Sequence, residues 1–542
     1  MLLGGRPCAP RREGVDCGRA GRRALGGNVS VPAAVDGRPN LLLLMADQLP
    51  ASALGCYGNR AARTPNLDGL ARAGRVFENA YCSSPICAAS RASLMAGALP
   101  SRLQVYDNGA DFAASTPTIC HPLRGHGYRT TLCGKMHFIG PDQLHGFEER
   151  LTPDIYPAGL GWTPDWGQGV VHNPGTSVRE LGESGTCARS LQLDYDEAVA
   201  HQAEQYLYDA AREPERPFFL CASFTHPHDP FVMTPEYLDR FGPGDVPPPL
   251  ADPEPLDRMH PYARWVQIHH ELDLYPPSPE VVARARHAYY AMVSYLDAKV
   301  GQVLAALERA GLAGRTLVLF TSDHGEMLGE HGMWYKRVFY EDSARVPLVA
   351  RGPGVAAGTC PRVVSLLDLL PTLCDAAQAP LPPAVAAELA GHSLVPLLAG
   401  RQEGWRDEAV AEYLGEGVIE PCRMLRRGRH KLVEVRGLPG QLFDLEQDPL
   451  EQEDLWDDPR YAALRATLLE RLAHEGSLDR LHEAVVRSQA RRRAVGAALE
   501  QGRPQPWDYV PPPDTGWRYV RAGDAMAASR RRRLGPSRPD GG

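Results

Sequence analysis

Cys87 stands between a proline-marked turn, Ser84-Pro85-Ile86, and a run of helix formers ending at Ala96. Pro85 restricts the residue before it, and the residues from Ala92 to Ala96 favour a helix, so Cys87 is expected at or near a helix N-terminus. Unpartnered backbone N–H groups and the positive end of the helix dipole favour an anion there. Arg91, one turn on, adds a permanent charge on a planar fork of donors. A nucleophile, an anion-binding helix end and an arginine suit attack on a sulfate or phosphate ester. The competing reading, a structural cysteine ahead of a core helix, is the commoner one for a lone cysteine. Elsewhere, Asp47 and the pair Asp323-His324 each follow a short apolar run. Alone, each would be a turn residue or cap; together they suit a divalent cation, which takes carboxylate oxygens, with one imidazole shifting preference toward manganese. Lys135 and His137, two apart on a segment read as extended, would point the same way, setting a fixed cation beside a group that titrates near neutrality. His226 and His228 lie between prolines, in a segment that cannot be helical.

The elements that must hold these residues read as α/β. Leu41–Met45 and Thr316–Phe320 are short apolar runs of the kind buried on both faces of a parallel sheet, whose carboxyl ends form sites. Tyr128–Leu132 and Pro217–Phe224 read as further strands, and Thr64–Ala71 and Asp196–Arg212 as helices. Val293, Leu296, Val300, Val303, Leu304 and Leu307 form a stripe at helical spacing, which is core packing. The Pro-, Tyr- and His-rich segment Asp252–Ser278 reads as a long loop and candidate lid. From about Gly404 the pattern changes to short strands with turns, then a helix over Tyr461–Glu475. The domain expectation is an extension over 1–38, a catalytic domain over 39–400, an α+β subdomain over 401–500 and a tail over 501–542.

Composition excludes several classes. A formal net charge of −8 gives no footing for nucleic acid, and the basic run Arg530–Arg533 sits in a Gly/Pro-flanked tail. No apolar run approaches a membrane span. The 12 cysteines form no CxxC pair or regular framework, which predicts reduced thiols and a cytoplasmic setting.

The Cys87 stretch resembles the sulfatase signature, Cys-x-Pro-Ser-Arg followed by a helix, with Ala89 where the family usually has proline. The resemblance implies a large mixed sheet flanked by helices, like alkaline phosphatases and sulfatases, plus a smaller C-terminal domain with an antiparallel sheet. It implies that Cys87 is oxidised to formylglycine by a formylglycine-generating enzyme. It also implies one divalent ion, calcium favoured over manganese, held by Asp47, Gln48, Cys87, Asp323 and His324. By the same resemblance Arg91, Lys135 and Lys336 bind the sulfate, His228 protonates the leaving alcohol and His137 takes a proton later. The run from Gly134 through Asp154-Ile155-Tyr156-Pro157 to Trp166 looks like the choline-sulfatase branch of that family, as does Glu412–Gly417. This branch implies choline O-sulfate as substrate, with Asn108, Trp162 and Glu416 around its cation. For Trp162 alone, core packing is a serious competitor. The resemblance runs from about Asn40 to Arg521 and is lost beyond. Its tail echoes one wrapped onto a neighbouring subunit, implying a dimer or tetramer. Two rivals stay open: a phosphonate monoester, phosphodiester or aryl-sulfate hydrolase of the same superfamily, and an unconverted relative that only binds a small sulfated cation because Ala89 blocks oxidation of Cys87.

Overall fold

The computed structural model describes residues 37–173, 176–503 and 506–511. The extension before residue 37, Arg518–Arg521 and the basic run Arg530–Arg533 lie outside the described residues.

Four consecutive leucines begin at Leu41 in β1 (Asn40–Ala46), and every residue of the strand is buried. Alternation sends Leu41, Leu43 and Met45 to one face of the sheet and Leu42, Leu44 and Ala46 to the other. Burying each leucine contributes about 1.5–3 kcal/mol, so this run commits the chain to a central, doubly covered strand. The other strands of its sheet are β2 (Arg75–Tyr81), β3 (Arg129–Gly134), β4 (Glu149–Arg150), β5 (Phe218–Ser223), β6 (Thr316–Ser322), β7 (Arg345–Arg351) and β8 (Gly358–Ser365). Their order is β8-β2-β7-β6-β1-β5-β3-β4. Only β7 runs antiparallel to its neighbours, which makes the sheet mixed.

One face carries α1 (Pro65–Arg72), α3 (Leu191–Arg212) and α5 (Pro279–Arg309). The stripe from Val293 to Leu307 on α5 is buried there, as its spacing predicts. The other face carries α2 (Cys87–Ala96), whose ten residues are all buried, and which ends at Gly97 in the left-handed conformation, φ 66°. A second, antiparallel sheet packs on that side. It comprises β9 (Glu408–Tyr413), β10 (Cys422–Arg427), β11 (His430–Val435) and β12 (Gln441–Asp444). Its far face is covered by α6 (Ala462–Ala473), with Val410, Leu425, Leu432 and Leu442 against Leu468 and Leu472.

Two expectations change. The segment read as a loop, Asp252–Ser278, contains α4 (Pro261–His269). Pro261 occupies its first turn and the His260 ring accepts from the Tyr262 N–H, a proline start that composition concealed. A long helix, α7 (Leu478–Leu499), follows α6 and had no counterpart in the expected pattern. Among the described residues no helix is long and apolar enough to cross a membrane.

Candidate active site

Register decides which residues meet. Ala46 of β1 pairs with Ser322 of β6, while Met45 and Gly134 both pair with Ser223 of β5. Asp47, Asp323 and Lys135 therefore leave their strands side by side, and the N-terminus of α2 brings Cys87 over them. The Cys87 Sγ lies 3.2 Å from His324 Nε2, 3.6 Å from Lys135 Nζ and 3.9 Å from Asp47 Oδ1. Cys87 here is the unmodified thiol, and its Sγ marks the position of the reacting atom.

Arg91, fully buried, directs its donors at protein groups. It donates to Asp323 Oδ2 at 2.7 Å, Asp47 Oδ2 at 3.0 Å, the Lys135 carbonyl at 2.6 Å and Ser223 Oγ at 2.9 Å. Lys135 also pairs with Asp47. Two carboxylates this close and this dry would be costly without these cations. Burial and Cys87 push the Asp47 carboxyl up, but Lys135 and Arg91 outweigh them and hold it below its ordinary range. Burial likewise pushes the Cys87 thiol up, and Lys135, Lys336 and His324 more than reverse it.

The Gln48 side chain is oriented by its partners. Its amide nitrogen donates to Glu326 Oε2 at 2.5 Å and Asp229 Oδ1 at 3.0 Å, which turns the amide oxygen to Lys336. Lys336 Nζ also donates to His228 Nε2 at 2.8 Å, while His228 Nδ1 lies 2.8 Å from the Asp229 carbonyl. The two histidines between prolines separate: His228 faces the cavity, whereas His226 is buried on Asp196 at 2.7 Å.

Lys135 and His137 do not share one extended face. The strand ends at Gly134 (φ 109°) and the backbone turns again at His137 (φ 53°). Asp154 holds that turn, accepting from the Met136 and His137 N–H groups at 2.9 and 2.8 Å. Lys135 consequently passes under Cys87, and the His137 ring leans on Tyr156 and Trp162 with centroids 5.2 and 5.4 Å away. Both His137 ring nitrogens are buried without a hydrogen-bond partner.

A cavity of about 480 Å³ opens above Cys87, lined at its base by His137, His228 and Lys336 and further out by Asn108, Tyr156, Trp162, Arg337 and Glu416. Asn108 accepts from the Ala88 N–H at 3.0 Å and donates to Glu416 at 3.4 Å, so it joins the α2 N-terminus to the outer wall. Trp162 is 44% exposed, on the cavity wall and not in the core. All the site residues expected from sequence thus converge on one cavity and its floor.

Sequence reasoning missed the residues that hold these. Tyr156 stands inside a recognised motif and Glu326 two residues past His324, but neither carried an assigned role. Arg337 adjoins Lys336 and donates to Glu416 Oε1 at 3.0 Å. Arg492 on α7 makes a two-pronged pair with Asp107, both contacts 2.7 Å, and donates to Thr163 Oγ1 at 3.0 Å. No local motif announces the last pair, because its members lie at opposite ends of the chain.

Asp47, Cys87, Asp323 and His324 offer ligand atoms within 4.8 Å of one another, all buried. Two carboxylates, an imidazole and the neighbouring Gln48 amide oxygen fit a divalent cation with a preference for oxygen ligands.

Comparison with known proteins agrees with this geometry. The family model described as sulfatase matches residues 39–379. That for the N-sulphoglucosamine sulphohydrolase C-terminus matches 329–477, and that for the choline sulfatase enzyme C terminus matches 483–534. The last match extends past Arg521, where the sequence resemblance was expected to end. A choline-sulfatase from Rhizobium meliloti (strain 1021) is 43% identical over 90% of this chain and 96% of its own. An arylsulfatase from Clostridium perfringens is 31% identical over 78% and 91%. The crystal structure of a phosphonate monoester hydrolase of Agrobacterium radiobacter superposes with a TM-score of 0.64 at 28% identity, covering 82% of this chain and 96% of that one. A sheet whose strand ends gather the acids, the cysteine and the cations, on a chain so similar along its length, gives one conclusion: this protein belongs to the sulfatase family.

Proposed function

We propose that this sulfuric ester hydrolase converts choline O-sulfate to choline and sulfate. The observation that carries the reading is the single cavity joining Cys87, Lys336 and His228 to Trp162 and Glu416. The first group suits a sulfate and the second a quaternary ammonium, for which an aromatic face contributes about 0.5–2 kcal/mol. The 43% identical relative named a choline-sulfatase and the C-terminal family match support the same substrate.

Formylglycine made from Cys87 would supply, as its hydrate, an oxygen nucleophile for sulfur. A divalent ion, calcium before manganese, would be held by Asp47, Gln48, Asp323, His324 and the residue 87 side chain, and would polarise a sulfate oxygen. Arg91 and Lys135 balance the carboxylates beneath, and Lys336 with the α2 N-terminus draws the sulfate charge. His228 faces the cavity beside Lys336; in its imidazolium form, with a proton on Nε2 in place of the contact accepted from Lys336, it would pass that proton to the departing alcohol. His137, with both ring nitrogens unpartnered, suits proton acceptance in the second half of the reaction. Asn108 and Glu416 border the choline end. Maturation by a formylglycine-generating enzyme, a homo-oligomer and a cytoplasmic setting complete the reading.

The test is choline release from choline O-sulfate by protein coexpressed with a formylglycine-generating enzyme, with the Cys87 peptide weighed in the same preparation. Release that depends on Cys87 supports the reading. Full conversion without release rejects it in favour of an aryl-sulfate or phosphonate ester. An intact thiol without release points to Ala89 as the obstacle and to a protein that binds without turnover.

A further inference from the structure

The outer wall of the cavity contains Glu416, with the fully buried Asp107 close by, and each of these carboxylates is already matched by a guanidinium. Glu416 accepts from Arg337 at 3.0 Å, and Asp107 holds the two-pronged contact with Arg492. Arg337 is locked: its left-handed backbone (φ 84°) donates its N–H to the Pro85 carbonyl at 3.1 Å, and Nη1 lies 2.6 Å from His270 Nε2. A guanidinium has no acceptor, so it donates there, and His270 is neutral with its Nε2 accepting. The two histidines of this segment, His269 and His270, are both shifted toward the neutral form by burial and by Arg337. At the rim, Asp165 pairs with Arg493 and Asp273 lies against His172. The Glu416–Arg337 pair and the Asp107–Arg492 pair therefore each sum to zero before any ligand enters.

We infer that Arg337 is a specificity-determining residue, cancelling the Glu416 charge so that the cavity selects choline sulfate only weakly over a sulfate ester of the same shape that lacks the cation. This rests on the choline-sulfate reading and deepens it. Trp162 offers the cation a ring face, but Glu416 is shared between ligand and Arg337. Neutralising Arg337 leaves one uncompensated carboxylate where the trimethylammonium belongs, and a buried charge interaction is screened little.

The experiment compares kcat/KM for choline O-sulfate with that for 3,3-dimethylbutyl sulfate, its carbon isostere. Both carry the same sulfate, so any loss of Arg337's pull on that end cancels in the ratio. The expected order follows net charge. Arg337→Gln raises the ratio about tenfold or more, and Glu416→Gln lowers it about tenfold or more, because Arg337 is then unopposed. The double variant returns near the wild-type value. Arg337→Met serves as a second neutral variant, and Arg337→Lys, which keeps the charge, stays near wild type. A ratio that falls or stays level in Arg337→Gln, or a double variant worse than either single one, overturns the inference and makes Arg337 a scaffold for Glu416. Absence of choline release by fully converted wild type overturns the substrate reading, and this inference with it.

Discussion

At the base of the cavity, Asp47, Lys135 and Asp323 each directly follow the last residue of a buried strand. At its outer end, Asn108, Trp162, Arg337 and Glu416 all stand in connections outside the large sheet. The base is fixed by register, since a slip between neighbouring strands would carry Asp47, Lys135 and Asp323 out of line and unpair buried backbone groups. The outer end is fixed by side chains reaching between distant loops: Trp166 Nε1 to the Gly415 carbonyl at 3.0 Å, Gln489 to the Trp166 N–H at 3.0 Å, Arg492 to Asp107. Chemistry common to a family belongs on the first kind of scaffold, and substrate choice can vary on the second.

Substitutions should separate the two ends. Cys87→Ala, at the base, is expected to abolish hydrolysis of every sulfate ester, by on the order of 10⁴-fold or more, measured as product release with both choline and aryl sulfates. His228→Ala should cost about 10²-fold or more with choline O-sulfate and far less with 4-nitrophenyl sulfate, whose leaving group needs no proton. Equal losses would remove His228 from the proton path. Trp162→Ala, at the outer end, should raise KM for choline O-sulfate by roughly tenfold and leave 4-nitrophenyl sulfate little changed. If both shift alike, the outer end does not read the cation. Arg492→Met should have the smallest kinetic effect, a few-fold rise in KM for choline O-sulfate. Its larger signature would be thermodynamic, because Asp107 is left buried and unpaired, a loss of about 3–5 kcal/mol in denaturant unfolding.

The same division explains what the sequence disclosed. Leu41–Met45 announced a doubly covered strand because continuous apolarity has no other economical use, and Asp47 followed from its place at the end. Strand β2, Arg-Val-Phe-Glu-Asn-Ala-Tyr, has no clean alternation and was not foreseen. Helix α7 was hidden for a sharper reason. Its buried face is Leu481, Val485, Ser488, Gln489 and Arg492, at helical spacing but mostly polar, so hydrophobic periodicity registers nothing. Those polar residues are buried because they brace the outer wall. Lys135 and His137 were legible as residues but not as geometry, since the turn between them depends on Asp154, which only the folded chain brings near. Glu326 and Arg337 lay in plain view beside recognised positions, yet a motif names the groups that meet the substrate and is silent about those that hold them.

The complete burial of helix α2 sets an order of events during synthesis. Cys87 is 2% exposed, and nothing as large as an enzyme can reach it once the sheet has closed. Yet β1, which carries Asp47 beneath it, is flanked by β5 and β6, and both are made long after Cys87. At about 5–20 residues per second, the stretch up to residue 322 leaves the cysteine on an open chain for on the order of ten seconds or more. Any enzyme that modifies Cys87 must act within that interval or on a chain not yet folded. The fold that then sets Cys87 at the bottom of its cavity seals the outcome, oxidised or not, against any enzyme that would change it, for the lifetime of the molecule.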